Sequence, residues 1–217
     1  MIYFRHGGDP LIARMSRNIS SFFVSKGIIS EDDKDVYIYS FEILLSTVVN
    51  FFALVLISII THTIPETALY ILGFVPLRQI AGGYHAKNHF RCFWILMFSY
   101  SIFLTLVYFL PMDFVFITIF VSGILSVVLV FVFAPSEDIN KPFSNEETIR
   151  FKRKSRFIIM AYIVLISLLA VFITNKIFAF SLASGVLTVS ISLLANFIKY
   201  ENSRSKNSAV GGKGVNL

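Results

Sequence analysis

Residues 36–60 read VYIYSFEILLSTVVNFFALVLISII. This apolar run exceeds the ~20 residues that a helix needs to cross the hydrocarbon core of a bilayer. Tyr37 and Tyr39 suit the aromatic belt at the membrane–water boundary. Glu42 reads as lying near the headgroups, whereas Asn50 lies deep and needs a partner from another helix. Upstream, Ser30 with Asp33 three residues on makes a capping-box-like start, and Glu31, Asp32 and Asp33 suit the positive end of a helix. The whole chain agrees: of 217 residues 56% are hydrophobic, 24 are Phe and only 15% are charged, against about 25% charged in a soluble domain. The first forty residues lack a basic n-region, apolar h-region and cleavage site, so a signal peptide does not account for the hydrophobicity. The expected fold class is an all-α polytopic membrane protein.

Further apolar spans run over Ile64–Leu77, Phe93–Leu110, Phe114–Ala134, Phe157–Thr174 and Ile177–Ile198, which makes six transmembrane helices. The second span is short, because 14 residues reach only ~21 Å as a helix against a core of ~30 Å. Pro65 and Pro76 bracket it and Glu66 and Arg78 mark its ends. It is either a short crossing or partly re-entrant, and re-entrant backbone is tolerated only where protein or water covers it. Basic residues set the orientation. Residues 1–42 hold five Lys or Arg, 78–92 three, 135–156 six and 199–217 four, which is 18 of 19, leaving Lys176 alone on the opposite side. The positive-inside rule therefore puts both termini in the cytoplasm with an even number of crossings.

The segment from Asp9 and Pro10 to Val24 reads as an amphipathic helix, with Ile12, Met15, Ile19, Phe22 and Phe23 on its apolar stripe and Arg14 and Arg17 off it. It either lies in the membrane interface or packs on the cytoplasmic face of the bundle. The expected organisation is an interfacial arm at 1–35, a six-span domain at 36–198 with cytoplasmic loops at 78–92 and 135–156, and a flexible cytoplasmic tail at 199–217. The net charge of +6 reads as topology and attraction to anionic lipid rather than as nucleic-acid binding. Lys152, Arg153 and Lys154, within a basic run from Arg150 to Arg156, form either a headgroup contact or a docking patch for an acidic peptide.

The residues with chemistry fall in Arg78-Gln-Ile-Ala-Gly-Gly-Tyr-His85-Ala-Lys-Asn-His89-Phe-Arg-Cys92, which holds the single cysteine and two of the four histidines. A nucleophilic cysteine works as its thiolate, which a nearby imidazolium or Lys and Arg stabilise. Lys87, His89 and Arg91 supply that setting. His85 and Cys92 on one continuous helix would be ~10.5 Å apart along its axis, too far for proton transfer, so a dyad requires a bend. Gly82 and Gly83 permit one and can present backbone N–H groups to an oxyanion. His89, three residues before Cys92, is an alternative base that needs no bend. His85, His89 and Cys92 do not make a metal site, since the outer two are too far apart to share an ion.

The run Arg78…Gly82-Gly83-Tyr84-His85-Ala86…Cys92, behind a short second span in a basic six-span chain, resembles the accessory gene regulator B (AgrB) family of bacterial membrane cysteine endopeptidases. The resemblance implies cleavage of the C-terminal part of an AgrD-like quorum-sensing propeptide, with Cys92 as nucleophile and His85 as general base. A thioester acyl-enzyme would then yield a thiolactone or lactone autoinducing peptide. It further implies that Arg78 and Gly83 support the site, that no cofactor is used, and that the protein is a homodimer in the bacterial cell membrane. A transporter or exporter of a small peptide is the competing reading, favoured by Asn50 and the interrupted second span; a membrane scaffold is a third. Both should survive Cys92→Ala.

Overall fold

The structure, a computed structural model, describes residues 10–83, 89–136 and 144–211. They form seven helices: α1 (Pro10–Ser25), α2 (Lys34–Ile60), α3 (Ile64–Ala81), α4 (His89–Phe109), α5 (Met112–Phe133), α6 (Asn145–Phe172) and α7 (Lys176–Gly211). Five of them, α2 and α4 to α7, are long and apolar enough to cross a membrane. The all-helical, multi-pass character expected from the sequence holds; the sixth spanning helix is not among these five. Its segment is α3, which continues beyond Leu77 to Ala81 and carries Pro65, Pro76, Glu66 and Arg78 within its 18 residues. The helices display large apolar side chains outward, for example Phe114, Phe116, Phe120, Ile124, Val128 and Val132 along α5. Lipid rather than water is the solvent that such a surface fits.

The chain divides into two compact units. One contains α1, α2 and the first part of α4. Here α1 packs on α2, with Phe23 stacked on Phe41 at 5.6 Å. The buried positions of α1 are Ala13, Ser16 and Ser20, small residues that allow two helix backbones to approach closely. The expected stripe is therefore split: Ile12, Ile19 and Phe23 are half-buried, while Met15 and Phe22 join Leu11 on an exposed edge. The expected Ser30–Asp33 pair forms a turn rather than the helix cap, Ser30 Oγ accepting from Asp33 N at 3.2 Å and donating to its carboxylate at 2.7 Å, and α2 starts only at Lys34, after Asp33. Glu42 is buried. At the far end of α2, His62 takes a left-handed φ of 52° and Thr63 N reaches back to Ser58 O at 2.9 Å. That is a helix C-terminal closure in which Gly is the usual residue.

The second unit contains α3, the rest of α4, α5, α6 and α7. Its centre is α7, far more enclosed than the other spanning helices. Two glycines bring α3 and α7 into backbone contact. A Cβ on Gly185 would overlap the Tyr70 carbonyl, and one on Gly73 would come within 2.6 Å of Leu182 O. Tyr70, fully buried, stacks on Phe103 at 4.7 Å and donates to Thr188 Oγ1 at 3.1 Å.

Proline 76 lies inside α3 and has no N–H to give to Leu72 O, four residues earlier. That carbonyl instead accepts from Tyr162 Oη of α6 at 2.6 Å, the kind of external repair that lets proline persist in membrane helices. The exceptional Lys176 is likewise accounted for. Its Nζ donates to Ala170 O at 2.6 Å and Ile173 O at 3.0 Å, closing the C-terminal end of α6, where a cation also suits the helix dipole.

Two boundaries differ from expectation. Residues 199–211, read as part of a flexible tail, continue α7; extending a formed helix needs no new nucleus, and nothing breaks it before Gly211. The basic run expected at the end of a loop is helical, because Ser144 and Glu147 form a capping box that starts α6 at Asn145.

Tyr162→Phe is expected to destabilise the protein by about 1–2 kcal/mol, since it leaves the Leu72 carbonyl without its donor. In a Pro76→Ala background, where an N–H is restored, the same change should have little effect. Unfolding titrations with a denaturing detergent across the four proteins measure this coupling.

Candidate active site

The last turn of α3 buries Leu77 and Ala81 completely and leaves Arg78 half-buried. A guanidinium at such a position is costly unless its N–H groups are used. Arg78 Nη1 donates to Gly82 O at 3.2 Å and to Ser192 Oγ of α7 at 3.0 Å. The Ser192 hydroxyl in turn donates to Val189 O at 2.7 Å, which fixes the hydroxyl so that its oxygen accepts from Arg78.

Helical geometry ends immediately beyond this turn. Gly82 has φ 78° and Gly83 φ 138°, both in the region that an L side chain rarely adopts. The space is also closed to a side chain. A Cβ on Gly83 would overlap Arg78 Nη1 and Ser192 Oγ, and one on Gly82 would lie 2.5 Å from Ser136 O. The segment after α5 completes the closure: Ser136 N donates to Ala81 O at 2.9 Å, and Asn196 Nδ2 donates to Ser136 Oγ. The carbonyls of Arg78, Ala81 and Gly82 are thus all satisfied, as a helix C-terminus in an apolar setting requires.

His85, the expected base, and Lys87 lie outside the described residues. His89 opens α4 and Cys92 lies in its first turn, so the helical i, i+3 register between them holds along the backbone. Cys92 is half-buried. Arg78, Gly82 and Gly83 belong to the unit built around α7, and Cys92 to the other unit. Among the described residues no three His, Cys, Asp or Glu side chains gather as a metal site would need. Of the basic run, Arg150, Lys152, Arg153 and Lys154 are exposed on the first turns of α6. Arg156 is not available with them, since it lies over the Phe131 ring at 4.9 Å and donates to Phe131 O at 3.4 Å.

Ser136, Ser192 and Asn196 were not among the expected site residues. Arg78 and Ser192 are 114 positions apart, too far for local spacing to pair them. One signal was present: Ser184, Thr188, Ser192 and Asn196 recur every fourth residue, a polar stripe along an otherwise apolar helix.

A model of the family described as accessory gene regulator B matches residues 16–193. The chain belongs to the AgrB family. The match runs from α1 into α7 and includes Arg78, both glycines, His85, Cys92 and Ser192. An AgrB-like protein of Clostridium beijerinckii is 28% identical over 145 residues, covering 64% of this chain and 70% of that protein. No solved structure matches the chain. AgrB-family membership makes this a multi-pass membrane protein of the accessory-gene-regulator quorum-sensing system, with an AgrD-like propeptide as partner.

Gly83→Ala should displace Arg78 from Ser192, whereas Gly27→Ala, also left-handed but with open space around it, should carry only the ~1–2 kcal/mol backbone penalty. Thermal unfolding followed through Trp94 fluorescence is expected to rank Gly83→Ala well below Gly27→Ala.

Proposed function

We propose that this AgrB-family protein is a cysteine endopeptidase that removes the C-terminal segment of an AgrD-like propeptide and promotes cyclisation of what remains. The observation that carries the reading is the family match across the Gly82-Gly83-Tyr84-His85-Ala86 run and Cys92. The positive-φ break at Gly82 and Gly83 supports it, since His85 and Cys92 on one uninterrupted helix would stand too far apart for proton transfer.

The Cys92 thiol gives its proton to His85, and Sγ attacks the scissile carbonyl. The C–N bond breaks, His85 returns the proton to the departing amine, and the N-terminal part of the propeptide stays on Cys92 as a thioester. A cysteine or serine side chain of the propeptide then attacks the thioester, closes a thiolactone or lactone, and regenerates the Cys92 thiol. Exchange of one thioester for another changes bond energy little, so positioning and exclusion of water govern this step. Backbone N–H groups near Gly82 and Gly83 are the candidate oxyanion donors.

In this reading α3 is the sixth crossing, both termini are cytoplasmic, and the protein works as a homodimer in the cell membrane. Support for the even number of crossings comes from the basic residues, since an odd number would strand a basic cluster outside. The exposed Lys152, Arg153 and Lys154 of α6 receive the acidic C-terminal segment of the propeptide. The exposed Leu11, Met15 and Phe22 edge of α1, with Arg14 and Arg17 beside it, rests on the lipid interface.

Co-expression with the propeptide and mass spectrometry of the released C-terminal peptide test the reading. Cys92→Ala and His85→Ala are expected to abolish release and His89→Ala to retain it; if His89 were the essential histidine, the base would be misassigned. Release by Cys92→Ala would instead favour a transporter. Charge reversal at Lys152, Arg153 and Lys154 together is expected to weaken propeptide processing by about tenfold or more at low salt and less at high salt. Unchanged processing would remove the docking role.

A further inference from the structure

We propose that Ser192 and Asn196 of α7 are positioning residues for His85, an inference that rests on the Cys92–His85 reading. The chain leaving α3 must pass Gly83 two residues before His85, and its path there is fastened from α7 at two points one helical turn apart. Ser192 Oγ takes Arg78 Nη1 at 3.0 Å while Arg78 holds Gly82 O at 3.2 Å. Asn196 Nδ2 holds Ser136 Oγ, and Ser136 N holds Ala81 O at 2.9 Å. Residues 81–83 are thereby gripped on two sides, by Arg78 backed by Ser192 and by Ser136 backed by Asn196.

The grip is directional and tightly filled. Ser192 spends its proton on Val189 O, so it meets Arg78 only as an acceptor, which matches the donor-only guanidinium. Neither glycine leaves room for slack, since a Cβ at Gly82 would meet Ser136 O and one at Gly83 would overlap both Arg78 and Ser192. Small displacements of a catalytic base change rate steeply, so loosening either fastening should act on the chemical step more than on propeptide binding.

The test uses the full chain in lipid nanodiscs with a synthetic propeptide, comparing Ser192→Ala, Ser192→Thr and Asn196→Ala with His85→Ala and Cys92→Ala. Ser192→Ala is expected to lower kcat on the order of tenfold while KM stays within about twofold, with Asn196→Ala similar. Ser192→Thr, which keeps the hydroxyl, should retain most of the activity. Because Cys92 is the chain's single thiol, its alkylation by iodoacetamide at neutral pH should slow in Ser192→Ala and His85→Ala alike. If His85→Ala and Cys92→Ala are inactive but Ser192→Ala and Asn196→Ala cleave at the wild-type rate, the positioning role falls and the Cys–His reading stands. Equal loss in Ser192→Thr and Ser192→Ala would assign the effect to packing and overturn the inference. Full cleavage by His85→Ala would remove the Cys–His reading itself.

Discussion

Backbone contact between α3 and α7 is the constraint on which the larger unit depends. Gly185 lets the Tyr70 carbonyl and the Phe74 amide of α3 approach α7 to a distance that no side chain would permit, and Gly73 does the same toward Leu182. Every polar link along the seam needs that approach. Tyr70 reaches Thr188, and one turn further along α7 Arg78 reaches Ser192. In an apolar medium such links are individually modest, about 0.6 kcal/mol on average. The penalty for leaving a guanidinium or a carbonyl unsatisfied there is several-fold larger. The seam is therefore held less by the gain from each bond than by the cost of leaving Arg78 and the end of α3 unsatisfied.

This arrangement explains how a helix as compromised as α3 can be kept. It carries an internal proline, a half-buried arginine and a glycine pair at its exit. Each defect has a repair supplied from outside α3: Tyr162 of α6 for the proline, Ser192 of α7 for the arginine, and Ser136 after α5 with Asn196 of α7 for the exit. Three defects in one helix are thus each compensated from elsewhere in the same unit, and His85 follows the last of them by two residues in the sequence.

Much of the fold was legible because apolar runs and basic clusters are sequence-local. The run from Val36 to Ile60 was readable as a helix, whereas the reach of α3 to Ala81, with Pro76 inside it, and the start of α2 at Lys34 were not. The run from Arg78 to Cys92 was legible as a motif, and the family match spans it. What lay beyond reach were the long-range partners. Nothing local tells that Ser192 meets Arg78 or that Tyr162 serves the carbonyl freed by Pro76. The burial of Glu42 and the choice of Ala13, Ser16 and Ser20 over Met15 and Phe22 as the packed positions of α1 depend on which neighbour a face meets, and periodicity does not encode that. The capping box at Ser144 and Glu147 turns the basic run from a loop into the start of α6.

Whether cleavage passes through a covalent intermediate on Cys92 is the most direct question. The full chain should be incubated with a propeptide in which the ring-forming cysteine or serine is replaced by alanine, so that the acyl group has no internal acceptor, and its intact mass measured. The account predicts a mass increase equal to the N-terminal propeptide fragment, located on Cys92 and removed by hydroxylamine as a thioester would be. Release of the C-terminal peptide with no adduct on Cys92, and at the same rate from Cys92→Ala, would contradict it.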